Sequence, residues 1–335
     1  MERLRKLHHR NTAFVILFIF GIILGFFIGK NDTFNKDIKT LTSKEIRLGG
    51  FKYINPLLEC DNNQIVGEQE YRPSRQKVLD MIDTEKKNGI IIDTAVYYRD
   101  LNNGPWFGIN ETSKFSPASL LKLPVMMAYF KKAETDPFIL AEKLKFVRKQ
   151  KVVQPFFSSQ EVLKDGESYT IEDLIKAMII NSSNEALFLL QDNINPNLID
   201  KLTADLGIEP VPDTVIDNFM SVKSYTSLFR ILYNASYLSI EFSQKALEIL
   251  DKATFNEGIV KGVPSDIVIS HKYGERELED GVKQLHDCGI VYYPKHPYLL
   301  CIMTRGKDYK QLSQIIQKIS SEVYADINSK FKLHD

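Results

Sequence analysis

The chain carries at residues 115–130 the sequence Phe115-Ser-Pro-Ala-Ser-Leu-Leu-Lys-Leu-Pro-Val-Met-Met-Ala-Tyr-Phe130. A polar loop changes here into an apolar run, which predicts a buried helix that begins near Ser119. Positions i and i+3 share one face of a helix, so the Lys122 amine can reach the Ser119 oxygen. A serine needs an adjacent base to act as a nucleophile, and a lysine becomes that base when burial or a second cation depresses its pKa.

The same Ser-x-x-Lys spacing occurs twice more, at Ser74/Lys77 and at Ser329/Lys332. The first pair opens a charged helical stretch and the second lies in the polar C-terminal tail, so both are predicted on the solvated surface. Only the copy at Ser119 is followed by an apolar run that would bury the helix behind it. Ser119 and Lys122 are therefore the candidate nucleophile and base, and catalysis by this pair needs further residues.

Composition excludes several classes of function. The 335 residues are 44% apolar and 26% charged, as is ordinary for a globular protein of one large or two small domains. Since 43 basic residues balance 43 acidic ones, no electrostatic footprint for a nucleic acid is present. The chain has no Gly-rich phosphate loop, Cys-x-x-Cys pair or His-Glu-x-x-His helix, so we expect no cofactor and no metal.

The N-terminus predicts a membrane anchor. Residues 12–29 are uncharged and mostly apolar, and as a helix they would span about 27 Å, close to the thickness of a bilayer core. Arg3, Arg5, Lys6 and Arg10 precede this run against one acid, Glu2, which places the N-terminus in the cytoplasm. We therefore predict a cytoplasmic tail at 1–11, a single-pass transmembrane helix at 12–29, an extracytoplasmic linker at 30–72 and a domain at 73–335.

A cleaved signal peptide is the competing interpretation of the N-terminus. Its apolar region would be shorter and would end in small residues at alternate positions, whereas Gly25-Phe-Phe-Ile-Gly29 is bulky. The sequence therefore favours an uncleaved anchor in the cell membrane, with the domain outside the cytoplasm.

Periodicity along the rest of the chain predicts an α+β fold. Helical patterns cover 75–87, 119–133, 138–144, 171–192, 196–205, 221–234, 242–251 and 309–327, and strand patterns cover 90–99, 105–109, 267–273, 282–293 and 298–305. An early hairpin completed by three late strands implies one five-stranded antiparallel sheet, flanked by helices and interrupted by an inserted all-helical lobe. Sites tend to form in the cleft between such a sheet and lobe.

Two further segments fall where that cleft needs polar groups. Asn181-Ser182-Ser183-Asn184 lies at a break between helical stretches, where its simplest interpretation is a helix N-cap serine. His271-Lys272-Tyr273-Gly274-Glu275-Arg276 closes a strand-like run, and its simplest interpretation is a charged strand end followed by a turn glycine.

Taken together, the three segments resemble the superfamily of serine penicillin-binding proteins and class A β-lactamases. The family is marked by Ser-x-x-Lys, then Ser-x-Asn about 60 residues later, then Lys-[Thr/Ser]-Gly on a late strand. Here Ser182 follows Ser119 by 63 residues and Lys272 follows Ser182 by 90. The resemblance covers roughly residues 73–325 and implies the same α+β fold.

The resemblance implies a catalytic role for each matched residue. Ser119 would attack a carbonyl carbon and become acylated, and Lys122 would take its proton. Ser182 would pass a proton to the leaving nitrogen, helped by the charge of Lys272, and Asn184 would hydrogen-bond the substrate amide. The implied partner is a peptidoglycan stem peptide ending in D-Ala-D-Ala, or a β-lactam.

Substrate binding is assigned, by the same resemblance, to Asn184, Tyr273, Gly274 and Glu275. The oxyanion would lie between the backbone N–H groups of Ser119 and Glu275, and each such donor is typically worth about 3 kcal/mol. Tyr273 stands where the family usually has a small hydroxyl residue that helps to bind the substrate carboxylate. A phenol is far longer, so it must point elsewhere or reshape the pocket.

Three functions stay open at the level of sequence. The first is an anchored serine hydrolase or acyltransferase acting on D-Ala-D-Ala peptides or β-lactams. The second is a class A-like β-lactamase with turnover, which needs a deacylating Glu-x-x-x-Asn; the near match Glu209-Pro-Val-Pro-Asp213 is better explained as a surface loop. The third is an impaired binding or sensor domain, for which Tyr273 is the main indication.

The three cysteines, Cys60, Cys288 and Cys301, are few and odd in number, which argues against a disulfide framework. Cys288 and Cys301 lie in two strand-like runs joined by a short turn, where they are core residues or form one bridge.

Overall fold

The computed structural model describes residues 45–60, 72–102, 104–148, 155–157, 163–206, 208 and 218–332. In chain order the strands are β1 (Glu45–Arg47), β2 (Leu57–Cys60), β3 (Ile91–Asp100), β4 (Trp106–Ile109), β5 (Lys143–Lys145), β6 (Ser168–Thr170), β7 (Ile269–Glu277), β8 (Lys283–Val291) and β9 (Tyr298–Gly306). The helices are α1 (Arg72–Lys87), α2 (Lys122–Ala133), α3 (Ile171–Ile180), α4 (Asn184–Asp192), α5 (Pro196–Asp205), α6 (Val222–Asn234), α7 (Ile240–Asp251) and α8 (Tyr309–Phe331). Short 3₁₀ turns occur at Ala118–Leu121, Ile139–Ala141 and Ile259–Gly262.

Five strands form the predicted antiparallel sheet, in the order β4–β3–β9–β8–β7. The early hairpin β3–β4 pairs with the late strand β9, and β7 ends the order at the opposite edge. The α+β architecture with one five-stranded antiparallel sheet is therefore confirmed. The strand that carries Lys272 is an edge strand, where side chains and backbone can meet a ligand.

The sheet is covered on both faces. Along β9 the alternate residues Leu299, Cys301 and Met303 belong to a core shared with the helical lobe, whereas Leu300 and Ile302 belong to a second core with α1 and α8. Successive side chains of a strand point to opposite faces, so a strand buried on both sides is a nearly continuous apolar run.

Helix α2 is the centre of the lobe. Its apolar residues are buried around nearly the whole circumference, including Leu123, Met126, Met127 and Phe130, all at 0% exposure. A helix that is apolar all round belongs in a core, and full burial of each such side chain is worth about 1.5–3 kcal/mol. The start of α2, which carries Lys122 and directly follows the 3₁₀ turn with Ser119, is therefore fixed by packing.

The structure corrects two details of the predicted elements and confirms a third. Residues 138–144 form the 3₁₀ turn Ile139–Ala141 and lead into β5, because Lys143–Lys145 pairs with Ser168–Thr170; the inserted lobe is thus not all-helical. The break predicted at Asn181-Ser182-Ser183-Asn184 within the helical pattern 171–192 is confirmed, since it separates α3 from α4. Strand β7 continues through Gly274 to Glu277, so Gly274 is a strand residue and not a turn residue.

Residues 45–60, within the predicted linker, lie against the domain. Tyr53 and Ile54 are buried, and the Tyr53 hydroxyl donates to Asp251 at 2.9 Å. The Asn55 N–H donates to the Tyr233 carbonyl at 2.8 Å. All the described residues belong to one compact unit, Ser43–Asp335.

Two other predictions concern the transmembrane helix and the pair Cys288 and Cys301. Within the described ranges no helix is long and apolar enough to cross a membrane, and the predicted span 12–29 lies outside those ranges. Cys288 and Cys301 were predicted either to be core residues or to form one bridge. In the structure they lie directly opposite each other on β8 and β9 and form a disulfide.

Candidate active site

The candidate nucleophile lies on the 3₁₀ turn that leads into α2. Ala118 adopts a left-handed backbone (φ 49°), which turns the chain sharply just before Ser119. Ser119 is half-buried, whereas the Lys122 side chain is fully buried, and the Lys122 Nζ lies 3.0 Å from the Ser119 Oγ. The i and i+3 spacing therefore does bring the amine to the hydroxyl.

Strand β8 holds the segment that precedes this turn. The Ser116 N–H donates to the Gln284 Oε1 at 3.0 Å, and the His286 Nε2 donates to the Ser116 carbonyl at 2.8 Å. Gln284 and His286 are both fully buried, and burial lowers the pKa of His286 to about 4, so this ring is neutral near pH 7. The backbone three residues before Ser119 is thus clamped to the sheet.

The break between α3 and α4 supplies the next polar groups. Ser182 adopts a left-handed backbone (φ 56°) and is buried, and the α4 N-cap is Ser183, whose hydroxyl accepts from the Ala186 N–H. A left-handed conformation of a residue with a side chain costs about 1–2 kcal/mol. The N-cap serine of the simpler interpretation is therefore Ser183, whereas the turn at Ser182 aims both its carbonyl and its hydroxyl at Lys122.

Lys122 is surrounded by oxygen atoms. Its Nζ lies 2.5 Å from the Ser182 carbonyl, 3.1 Å from the Ser182 Oγ and 2.7 Å from the Asn184 Oδ1, besides the contact with Ser119. The carbonyl and the amide oxygen can only accept, so they take two N–H bonds of the amine. A neutral amine then has its lone pair left for the Ser119 hydroxyl proton, which is the arrangement of a general base.

Lys272 approaches the same centre from β7. Its Nζ donates to the Ser182 Oγ at 2.9 Å and to the Tyr273 carbonyl at 3.1 Å. Burial lowers the pKa of Lys272 to about 7, against the opposing charges of Asp287 and Glu275. Burial and the charge of Lys272 together lower the pKa of Lys122 well below 10.5. The two lysines thus share one serine hydroxyl, and each disfavours the charge of the other.

Tyr273 lies between an aromatic ring and the Lys272 ammonium. Its ring stacks on Phe255 with centroids 4.1 Å apart, and the Lys272 Nζ lies 4.5 Å from its centroid. Burial raises the pKa of the Tyr273 phenol. The phenol is therefore neutral and packed, consistent with the prediction that it cannot simply take the position of a short hydroxyl side chain.

Gly274 and Glu275 bring β7 against the nucleophile turn. A Cβ on Gly274 would lie 2.8 Å from the Pro117 carbonyl and 3.2 Å from the Leu120 N, so only glycine allows this approach. The carboxylate of Glu275 accepts hydrogen bonds from the backbone N–H groups of Phe156 and Phe157. The oxyanion site between the Ser119 and Glu275 N–H groups stays a prediction.

A buried pair that no motif indicated lies behind Lys272. The His271 Nδ1 is 2.8 Å from the Asp287 Oδ1, and the Asp287 Oδ2 accepts from the Ile259 N–H at 2.8 Å. A Cβ on Gly258 would lie 2.2 Å from the Asp287 Oδ2, so this carboxylate fits only beside a glycine. The negative charges of Asp287 and Glu275 both act to raise the pKa of Lys272, and the effect of Asp287 is the larger.

The other Ser-x-x-Lys copies behave differently. Lys77 is exposed, as predicted, and pairs with Glu322, but Ser74 is buried and donates to Asp326 at 2.5 Å. The prediction of a solvated Ser74 was therefore wrong, because α1 packs this face against α8.

Glu209 lies outside the described residues. In the described part of the chain no group of three or more His, Cys, Asp or Glu residues could hold a metal ion.

Comparison with known proteins adds the family. A model of the Beta-lactamase enzyme family matches residues 74–327. β-Lactamase VEB-1 from Pseudomonas aeruginosa is 21% identical over an alignment of 235 positions that covers 64% of this chain and 77% of that protein.

Two solved structures show the same fold. A β-lactamase from Chitinophaga pinensis is 19% identical, with a TM-score of 0.67 over 77% of this chain and 100% of the other. PBP-A is 20% identical, with a TM-score of 0.64 over 77% of this chain and 97% of the other.

Proposed function

This chain belongs to the β-lactamase enzyme family and is a serine hydrolase. On this basis we propose that it is a membrane-anchored, extracytoplasmic acyl-transfer enzyme in which Ser119 is the acylated nucleophile. Its substrates are peptidoglycan stem peptides ending in D-Ala-D-Ala or β-lactams. Support for the acyl chemistry comes from a mutant of PBP-A, whose structure is an acyl-enzyme complex with penicillin G. The anchor is supported by the composition of residues 12–29.

One observation carries the proposal. Lys122 is buried, its pKa is lowered, and two of its contacts are oxygens that can only accept. A neutral Lys122 therefore directs its lone pair at the Ser119 Oγ, 3.0 Å away. That is the geometry a serine needs to lose its proton to a neighbouring base.

The proposed reaction proceeds in two halves. Ser119 Oγ forms a bond to the carbonyl carbon while its proton passes to Lys122. The carbon–nitrogen bond then breaks, and the leaving nitrogen receives a proton from the Ser182 hydroxyl, which regains one from the lysines bonded to it. The acyl group stays on Ser119 until water or an acceptor amine attacks the ester.

A fluorescent penicillin tests the first half. We expect it to label the purified protein covalently, and we expect Ser119→Ala to abolish the labelling while the far-ultraviolet circular dichroism stays unchanged. Equal labelling of the alanine variant would reject Ser119 as the nucleophile.

Turnover of a β-lactam is the second candidate, favoured by the relatives that are β-lactamases. A chromogenic cephalosporin separates the two. Many turnovers per enzyme, lost in Glu209→Gln, would establish a β-lactamase that deacylates through Glu209. A single burst with one equivalent of product would establish slow deacylation.

A further inference from the structure

Residues 45–60, within the predicted linker, carry a cluster of exposed apolar side chains. Ten large apolar side chains are exposed in the described part of the chain, and four of them lie in this one segment: Ile46, Leu48, Phe51 and Leu58. Single exposed apolar residues are normal on a protein surface, whereas a cluster of them marks a site of contact. These four residues are called the linker face below.

The pairing of β1 with β2 directs the linker face away from the domain. Arg47 points toward the domain, since its Nη1 donates to the Asn234 Oδ1 at 3.0 Å. Leu57 is opposite Arg47 on β2 and is likewise partly buried. Successive side chains of a strand point to opposite faces. The residues on either side of Arg47 and the residue after Leu57 therefore point outward, and all three belong to the linker face.

The inner side of this segment is fixed to the domain. The Tyr53 hydroxyl donates to Asp251 and the Tyr292 hydroxyl donates to the Tyr53 carbonyl, both at 2.9 Å. Within the segment, the Leu48 N–H donates to the Pro56 carbonyl at 2.9 Å. Because the segment is part of the folded domain, whatever binds the linker face also holds the domain.

The sequence indicates a lipid bilayer as the partner of the linker face. The apolar run 12–29 of the predicted anchor ends fifteen residues before β1, and fifteen residues span at most about 50 Å when fully extended. The start of β1 thus stays within that distance of the bilayer that holds the anchor. Lys52, next to Phe51, is exposed, and a cation beside apolar side chains suits lipid headgroups.

We propose that the linker face rests in the interface of the bilayer as a second membrane contact, so that the domain lies on the membrane with one side. This inference rests on the anchor in the proposed function. A few apolar side chains bind a bilayer only weakly and reversibly by themselves, but the anchor keeps them near its surface at a high effective concentration. A chain without the anchor therefore stays in solution, whereas the intact chain makes both contacts.

Tryptophan fluorescence tests this contact, since bromine atoms on lipid acyl chains quench a tryptophan that reaches them. The full chain is reconstituted in vesicles of phosphatidylethanolamine and phosphatidylglycerol, with and without brominated acyl chains. The emission of Trp106, the single native tryptophan, is subtracted. We expect the tryptophans added by Leu48→Trp and, independently, Leu58→Trp to lose at least half of their emission in the brominated vesicles.

Ile92→Trp is the matched control, because Ile92 is 47% exposed and Leu48 is 49% exposed. The two residues lie near opposite ends of the sheet. Strand β3, which carries Ile92, begins opposite the end of β9, whereas residues 45–60 contact Tyr292, next to the end of β8 that pairs with the start of β9. The tryptophan added by Ile92→Trp should lose less than a tenth of its emission.

A second set of variants tests the apolar character of the contact. Adding Ile46→Ser and Leu48→Ser to Leu58→Trp should at least halve the quenching, because the new tryptophan then lacks its apolar neighbours. Labelling by a fluorescent penicillin should stay unchanged in all these variants, which separates the membrane contact from the acylation chemistry. Unchanged quenching after the two serine substitutions would reject the linker face as the contact.

Flotation of the vesicles distinguishes the other failures. A full chain that floats with the vesicles while its added tryptophans are not quenched would reject the second contact and leave the anchor. Blue-shifted emission without quenching would reject it too, because protein and not lipid would then cover the linker face. Equal quenching in Ile92→Trp would reject a fixed orientation of the domain. A full chain that does not float would reject the anchor, and the second contact with it.

Discussion

At the scale of single residues, the site depends on how two buried lysines share protons. Lys122 and Lys272 both contact the Ser182 Oγ, at 3.1 and 2.9 Å. Two ammonium groups so close repel each other, so one of the two lysines loses its proton first. The two lysines therefore titrate as a coupled pair and not independently. Because the charge of Lys272 lowers the pKa of Lys122, the state with neutral Lys122 and charged Lys272 is the one suited to acylation.

This pairing predicts a bell-shaped pH dependence of the acylation rate constant. The rate rises as Lys122 loses its proton, and it falls as pH rises through about 7, where Lys272 loses its charge. In Lys272→Arg the guanidinium stays charged to pH 12 or above. We therefore expect the descending limb to disappear below about pH 10, even if the maximal rate drops about 100-fold.

The measurement is the second-order labelling rate with a fluorescent penicillin between pH 5 and 10. Lys261→Arg, at an exposed lysine paired with Glu257, serves as the control and should keep the native profile. A descending limb at the same pH in Lys272→Arg would assign that limb to another group.

Helix spacing alone predicts that Lys122 meets Ser119, and the resemblance of the three motifs to a known family predicts which other side chains join them. Ser119, Lys122, Ser182, Asn184 and Lys272 do converge in the structure. The pair His271–Asp287 and the ring of Phe255 under Tyr273 were not predicted, because no local pattern connects residues that only the sheet brings together. The direction of Tyr273 likewise depends on Phe255, a loop residue with no periodic signal.

At the scale of elements, strand β7 and the nucleophile turn form one contact. Gly274 allows the strand to touch the Pro117 carbonyl and the Leu120 amide. The sequence indicated a turn at this glycine, because a glycine after a charged pair commonly ends a strand. The strand instead continues, since residues 274–277 pair with residues 283–286 of β8.

Gly274→Ala should therefore harm catalysis more than stability. The added methyl group meets backbone atoms, so the strand must move away from Ser119, and a shift near 1 Å costs about 100-fold in rate. Overpacking of this kind costs about 1–3 kcal/mol in the free energy of unfolding. The acylation rate and urea unfolding measure the two effects.

Gly281→Ala is the matched control for this substitution. Gly281 has φ 77° and open space around it, so an alanine there costs about 1–2 kcal/mol through its backbone alone. We expect similar losses of stability in both variants and loss of acylation only in Gly274→Ala. Normal acylation in Gly274→Ala would show that the contact does not position the nucleophile.

At the scale of the whole molecule, the order of elements was predictable because most helices and the strands of the main sheet are long enough to show distinct residue patterns. The helix α8 has a clear 3.6-residue pattern, whereas the buried strand β9 is a short, nearly continuous apolar run that ends at Gly306. The short pair β5–β6 was missed, since three-residue strands carry too few residues to show a period, and residues 138–144 were assigned to a helix for the same reason.

The predicted anchor applies to the molecule as a whole. A bacterial host that expresses all 335 residues should hold the protein in its membrane fraction, released by detergent but not by high salt, because an apolar run of this length prefers the bilayer. A chain that begins at residue 30 should stay in solution. A mature protein that lacks residues 1–29 by N-terminal sequencing would establish a cleaved signal peptide instead.

The most direct test of the acylation centre is the intact mass of the protein after exposure to penicillin G, followed over time and mapped by proteolysis. Our account predicts a mass increase of one penicillin molecule, located on the peptide that contains Ser119 and absent in Ser119→Ala. The lifetime of this adduct then measures the release step. An adduct on another residue, or one that forms equally in Ser119→Ala, would contradict the account.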